Sequence, residues 1–210
     1  MAEVKAGSMT GRPRHDRHVA PEDSQVVGRG SALLTNVEPP ALDYIQIQQV
    51  LARYSRGIDR MDRELILSVY WEDAYDSHGV CEGNREAFAD WIGENMTRYA
   101  ASNHMLGQSL IEIEADHADC ETYFAAFHHL PGQDGDLMVV VGGRYHDRFE
   151  RRNGEWRIHR RRVLFDWMQE TPMVDALPRL DLPRRNEVMG RRDRADPSYR
   201  SPAFTPPATS

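Results

Sequence analysis

Proton chemistry is possible at few places in this chain, and the first is the stretch Tyr54-Ser55-Arg56-Gly57-Ile58-Asp59, which sets a phenol five positions ahead of a carboxylate. Asp59 falls just past the point where an amphipathic helical pattern runs out. A carboxylate there either caps the helix that follows or is left free to take part in a site. On the residues alone both readings of Asp59 stand. Thiol and metal chemistry have less to build on. Cys81 and Cys120 are the only cysteines, no metal-ligand spacing surrounds them, and they are expected to be reduced packing residues rather than a disulfide.

The elements that must position these groups can be read from periodicity. Ile45, Ile47, Val50, Leu51 and Tyr54 form an apolar stripe at helical spacing, which turns Tyr54 inward. Gly57 is expected to end this helix in the left-handed conformation, with Asp59 opening a new segment. A second helix is expected from Asp62 to about Tyr70, a short strand over Ala74–His78 stopped at Gly79, and a third helix from about Arg85 to Tyr99. The period then changes. Ser102–Glu114, Cys120–Leu130, Leu137–Arg152 and Glu155–Met168 read as strands separated by turn residues, and Asn153-Gly154 is a strong two-residue hairpin signal because both residues tolerate positive φ. Helices followed by an antiparallel meander predict an α+β domain whose sheet curls over the helices, with a cavity between them.

The 210 residues allow one good-sized domain with tails. Residues 1–40 read as a flexible arm, 41–170 as the folded domain, and 171–210 as a Pro- and Arg-rich tail that either wraps a neighbouring subunit or stays disordered. A net charge of −7 argues against nucleic-acid binding, which usually shows a basic excess. No apolar run of bilayer length and no secretory core are found, so no membrane partner is expected and a cytoplasmic location is the default.

The order Tyr54…Gly57-Ile58-Asp59, then Tyr70-Trp71-Glu72-Asp73-Ala74, then Ser102-Asn103-His104, then the run from Gly142 to Trp156, resembles the SnoaL-like branch of the NTF2-like superfamily over about Leu42 to Thr171. It looks most similar to the lyase group containing scytalone dehydratase, hexachlorocyclohexane dehydrochlorinase and the bacterial bile-acid dehydratases. The resemblance implies a cone of helices and mainly antiparallel sheet, a homotrimer, and elimination of water or hydrogen halide with no metal and no organic cofactor. It pairs Asp59 with His104, the carboxylate fixing the imidazole tautomer and the imidazole acting as base. Tyr54 matches a tyrosine of the bile-acid dehydratases where the dehydrochlorinases have a lysine, which favours an oxygenated, hydrophobic small substrate. Alignment and strand alternation add Arg161 and His128 as catalytic candidates, and Phe124, Ala126, Val141 and Tyr145 as pocket residues, with Asp76 and His78 beside them. Plainer roles stay open. Tyr54 could simply pack, His128 could end its strand beside His129, and Arg161 lies in a run of three arginines.

The expected function is elimination of water from a hydroxylated alicyclic or steroid-like carbonyl compound, bile-acid derivatives included. A ketosteroid-type isomerase or polyketide cyclase would start from the same enolate. A non-catalytic binding or assembly subunit of the same fold would need no Asp/His pair.

Overall fold

The structure, a computed structural model, describes residues 41–181 and 189–200. The arm expected over 1–40, and the remainder of the expected tail, lie outside these residues. Helix α1 (Ala41–Asp59) and the short α2 (Arg63–Ser68) precede strand β1 (Tyr70–Ser77) and the two-residue β2 (Glu82–Gly83). Helix α3 (Arg85–Asn95) is followed by β3 (Ala101–Glu114), β4 (His117–Leu130), β5 (Asp136–Arg152) and β6 (Glu155–Met173). The six strands form one sheet in the order β2-β1-β6-β5-β4-β3, antiparallel except for the β1–β6 pair. The fold is therefore α+β, three helices on a curved sheet.

Helix α1 buries Ile47, Val50, Leu51, Tyr54 and Ile58. Ile45, expected on that stripe, is 57% exposed. Two residues of helix turn about 200°, so Ile45 and Ile47 cannot share a face. The start of the helix is tied to the sheet: Trp156 Nε1 donates to Asp43 Oδ1 at 2.8 Å, and Arg151 Nη1 donates to both Asp43 oxygens at 3.0 Å.

The end of α1 differs from expectation. Gly57 does not terminate the helix, which runs on to Asp59, and the left-handed residue is Met61 at φ 51°. Gly57 serves close approach instead, since a Cβ there would sit 2.9 Å from Ile66 Cγ1. The cap of α2 is Asp62, whose side chain accepts from Leu65 N at 3.2 Å. Asp59 is thereby left free for another role.

Tyr70, expected in the second helix, instead opens β1. Val69 O accepts from Ile158 N at 2.9 Å, so tertiary pairing with β6 decides an apolar run whose local periodicity is ambiguous. The hairpins follow their turn residues. Asn153 and Gly154 have φ of 53° and 80°, the mirror-image turn that suits sheet twist.

Residues 189–200 pack against this chain's own α1–α2 corner. Tyr199 Oη donates to Asp62 at 2.7 Å, Arg60 pairs with the buried Asp196 at 3.2 Å, and Arg192 Nη1 donates to the carbonyls of Met96 and Tyr99, both at 2.6 Å.

Candidate active site

The last turn of α1 projects Asp59 across to β3. Its Oδ1 accepts from His104 Nδ1 at 2.7 Å and from Ser102 Oγ at 3.0 Å, and its Oδ2 accepts from the His104 backbone N–H at 3.0 Å. Burial opposes ionisation of Asp59, yet these hydrogen bonds and the nearby imidazole carry its pKa below the ordinary carboxyl value. The result is a buried carboxylate, saturated with donors, that fixes His104 as the Nδ1–H tautomer. His104 Nε2, the basic nitrogen of that tautomer, takes no hydrogen bond from the described residues.

His104 lines a cavity of about 490 Å³ between α3 and the sheet. Ile92, Phe124, Ala126, Val141 and Val163 make the wall largely apolar, and Trp91, Met96, Tyr99, Phe165 and Trp167 also line it. Phe124, Ala126 and His128 reach it together because alternate residues of β4 share a face. Val141 and Tyr145 of β5 and His78 also line it, as their positions predict.

His128 lies 5.4 Å from the His104 ring, centroid to centroid, and packs on Tyr99 at 4.7 Å. Burial first, and the neighbouring His104 second, lower its pKa to about 4. It is neutral at physiological pH, and its buried Nδ1 has no hydrogen-bond partner among the described residues.

Tyr54 and Arg161 require a correction: the structure places neither on the cavity wall. Arg161 is fully buried, with Nε and Nη2 donating to the two oxygens of Asp147 at 2.7 and 2.6 Å. Its guanidinium packs into the corner formed by the near-perpendicular rings of Tyr54 and Tyr145, at 3.9 and 4.1 Å. Burial opposes this charge, but the Asp147 carboxylate more than compensates and keeps it protonated. Tyr54 is 0% exposed and stacks edge-on to Tyr145 at 5.4 Å. Desolvation raises its pKa well above the ordinary value, so it remains a neutral phenol. Asp76 also sits behind the wall, 1% exposed, holding His78 from below.

Sequence reasoning did not single out Asp147, Tyr70 or Ser102. Asp147 could have been found, because it lies two residues after Tyr145 on the same strand face. Tyr70 was hidden by its expected helix. Among the described residues no group of three or more His, Cys, Asp or Glu is arranged to hold a metal ion, and no helix is long and apolar enough to cross a membrane.

The fold has many relatives of known structure. A candidate scytalone dehydratase from Novosphingobium aromaticivorans superposes with a TM-score of 0.56 at 18% identity, covering 64% of this chain and 91% of that one. A hexachlorocyclohexane dehydrochlorinase from Novosphingobium barchaimii gives 0.55 at 18% identity, with 64% and 92% covered. At these identities the likeness is one of fold. In sequence, an uncharacterized protein of Mycobacterium tuberculosis is 28% identical over 122 residues, 57% of this chain and 82% of its own length. The SnoaL-like domain matches residues 39–162, more than half of the chain. The chain thus belongs to the SnoaL-like domain family, within the NTF2-like superfamily.

Proposed function

We propose that the protein is a cofactor-independent hydro-lyase that removes water from a hydroxylated alicyclic carbonyl compound, with steroid-like skeletons, bile-acid derivatives among them, as the first candidates. The observation that carries this reading is the Asp59–His104 pair: a histidine on the wall of an apolar cavity with its Nδ1 2.7 Å from a buried carboxylate. A proton next to a carbonyl is acidic enough for an imidazole to remove. His104 Nε2 would take it, and Asp59 would stabilise the imidazolium that forms. The C–H electron pair becomes the enolate, which collapses to a conjugated enone as the β-hydroxyl departs. Substrate carbon skeleton and oxygen count balance as enone plus water.

An apolar chamber of about 490 Å³ falls in the range of pockets that enclose drug-sized ligands, roughly 300–1,000 Å³. The preference for oxygen over halide comes from the resemblance, which puts a lysine in dehydrochlorinases where this chain has Tyr54; that phenol lies behind the cavity wall and does not itself meet the leaving group. His128, neutral at physiological pH, suits a hydrogen-bonding role more than proton donation.

The test is incubation with a panel of hydroxylated alicyclic ketones, steroids and bile-acid intermediates, followed by mass spectrometry. A product lighter by one water supports the reading. A product of unchanged mass with a moved double bond would favour isomerase chemistry.

A further inference from the structure

The cavity carries a second histidine–carboxylate pair. Asp76 takes the inner face near the end of β1, and His78, which directly follows the strand two residues on, lines the cavity beside it. Asp76 Oδ1 faces His78 Nδ1 at 2.7 Å, and its Oδ2 accepts from Tyr70 Oη at 2.6 Å. The carboxylate is 1% exposed and His78 is on the cavity lining with its ring stacked on Phe88 at 4.7 Å. The arrangement repeats that of Asp59 and His104 in the buried acid behind and the engaged Nδ1, but differs at Nε2, which in His78 has a long contact that a substrate hydroxyl would have to replace. His78 Nε2 faces Tyr54 Oη at 3.4 Å. Around this group stand Tyr54 from α1, Tyr70 and Asp76 from β1, Tyr145 from β5, and the mutually neutralising Arg161–Asp147 pair beneath.

Elimination of water needs a proton delivered to oxygen as well as one taken from carbon, because hydroxide is a poor leaving group. His128 is ill suited to supply it, being held neutral by burial. We propose that His78, oriented by Asp76 and in contact with Tyr54, is the acid of the cavity and protonates the departing hydroxyl. The step rests on the dehydratase reading above. His104 takes the α-proton, and the C–H pair passes through the enolate into the new C=C bond. The C–O pair leaves on oxygen, and the Nε2–H of protonated His78 breaks to complete water. His104 finishes protonated and His78 neutral, and exchange with solvent restores both.

The experiment uses an alicyclic β-hydroxy ketone that the wild type dehydrates, run in deuterated water with wild type, His78→Gln, Asp76→Asn and His104→Ala. Two rates are read: deuterium entry at the α-carbon of recovered substrate, and formation of enone. His78→Gln should keep α-exchange within a few-fold of wild type while enone formation drops by a factor of about 10² or more. Asp76→Asn should show a smaller drop of the same kind, and His104→Ala should lose both rates. The matching β-chloro ketone supplies a leaving group that needs no proton, and with it His78→Gln should eliminate at near the wild-type rate. Rescue of this kind cannot come from a purely structural role for His78. Wild-type enone formation by His78→Gln, or equal loss of exchange and elimination without chloride rescue, would overturn the assignment while leaving the dehydratase reading intact. A wild type that dehydrates no member of the panel would overturn both.

Discussion

At the scale of single residues, the environment decides which of three cavity histidines can do what. His104 and His78 each have a carboxylate 2.7 Å from Nδ1, whereas His128 has none and is buried beside His104. Its pKa near 4, below the ordinary 6.5, makes a stability statement. Between those values the unfolded chain binds a proton that the folded chain refuses, so stability falls as pH drops through that window. Proton NMR of His128 should give a titration midpoint near 4, and a midpoint near 6.5 would refute the burial argument. Tyr54→Phe removes the hydroxyl that faces His78 but no cavity wall. It should lower kcat while leaving KM nearly unchanged, and steady-state kinetics with an opposite split would make Tyr54 a binding residue.

At the scale of elements, two contacts hold the site in place. Gly57→Ala would drive a methyl group to within 2.9 Å of Ile66, where α1 meets α2 two residues before Asp59. A loss of about 1–3 kcal/mol in a chemical denaturation curve is expected, typical of overpacking. Asp147→Asn would weaken the partner of a fully buried guanidinium, and a loss of about 3–5 kcal/mol is expected when a buried pair is broken. Replacing Asp147 and Arg161 together by apolar residues should cost less than that single change, which denaturation of the two variants would reveal. Legibility in the sequence follows the same physics. The alternation of Phe124, Ala126 and His128 and the Asn153-Gly154 turn were readable because they are local. Tyr70 was not, because its conformation is set by β6, far along the chain. Arg161 was placed on the correct face but at the wrong depth, since alternation gives direction and says nothing of the carboxylate waiting two strand positions after Tyr145.

At the scale of the whole molecule, the family domain ends before the residues that brace it. Arg192, beyond the matched region 39–162, bonds the carbonyls of Met96 and Tyr99 and reaches the Asp59 carbonyl at 3.5 Å. Arg192→Ala removes the side-chain donor to the Tyr99 carbonyl and one of two donors to that of Met96, and should destabilise the fold by about 1–3 kcal/mol, with an unchanged melting temperature as the contrary result. A homotrimer remains a proposal from the resemblance, for which light scattering should return three times the 24.1 kDa chain mass. The central claim concerns one proton leaving carbon for His104. It is tested most directly by comparing wild type and His104→Ala on a hydroxy ketone that the wild type dehydrates, following the water-loss product by mass spectrometry. The account predicts that His104→Ala, folded by circular dichroism, forms that product slower by a factor of about 10² or more; formation at the wild-type rate would contradict it.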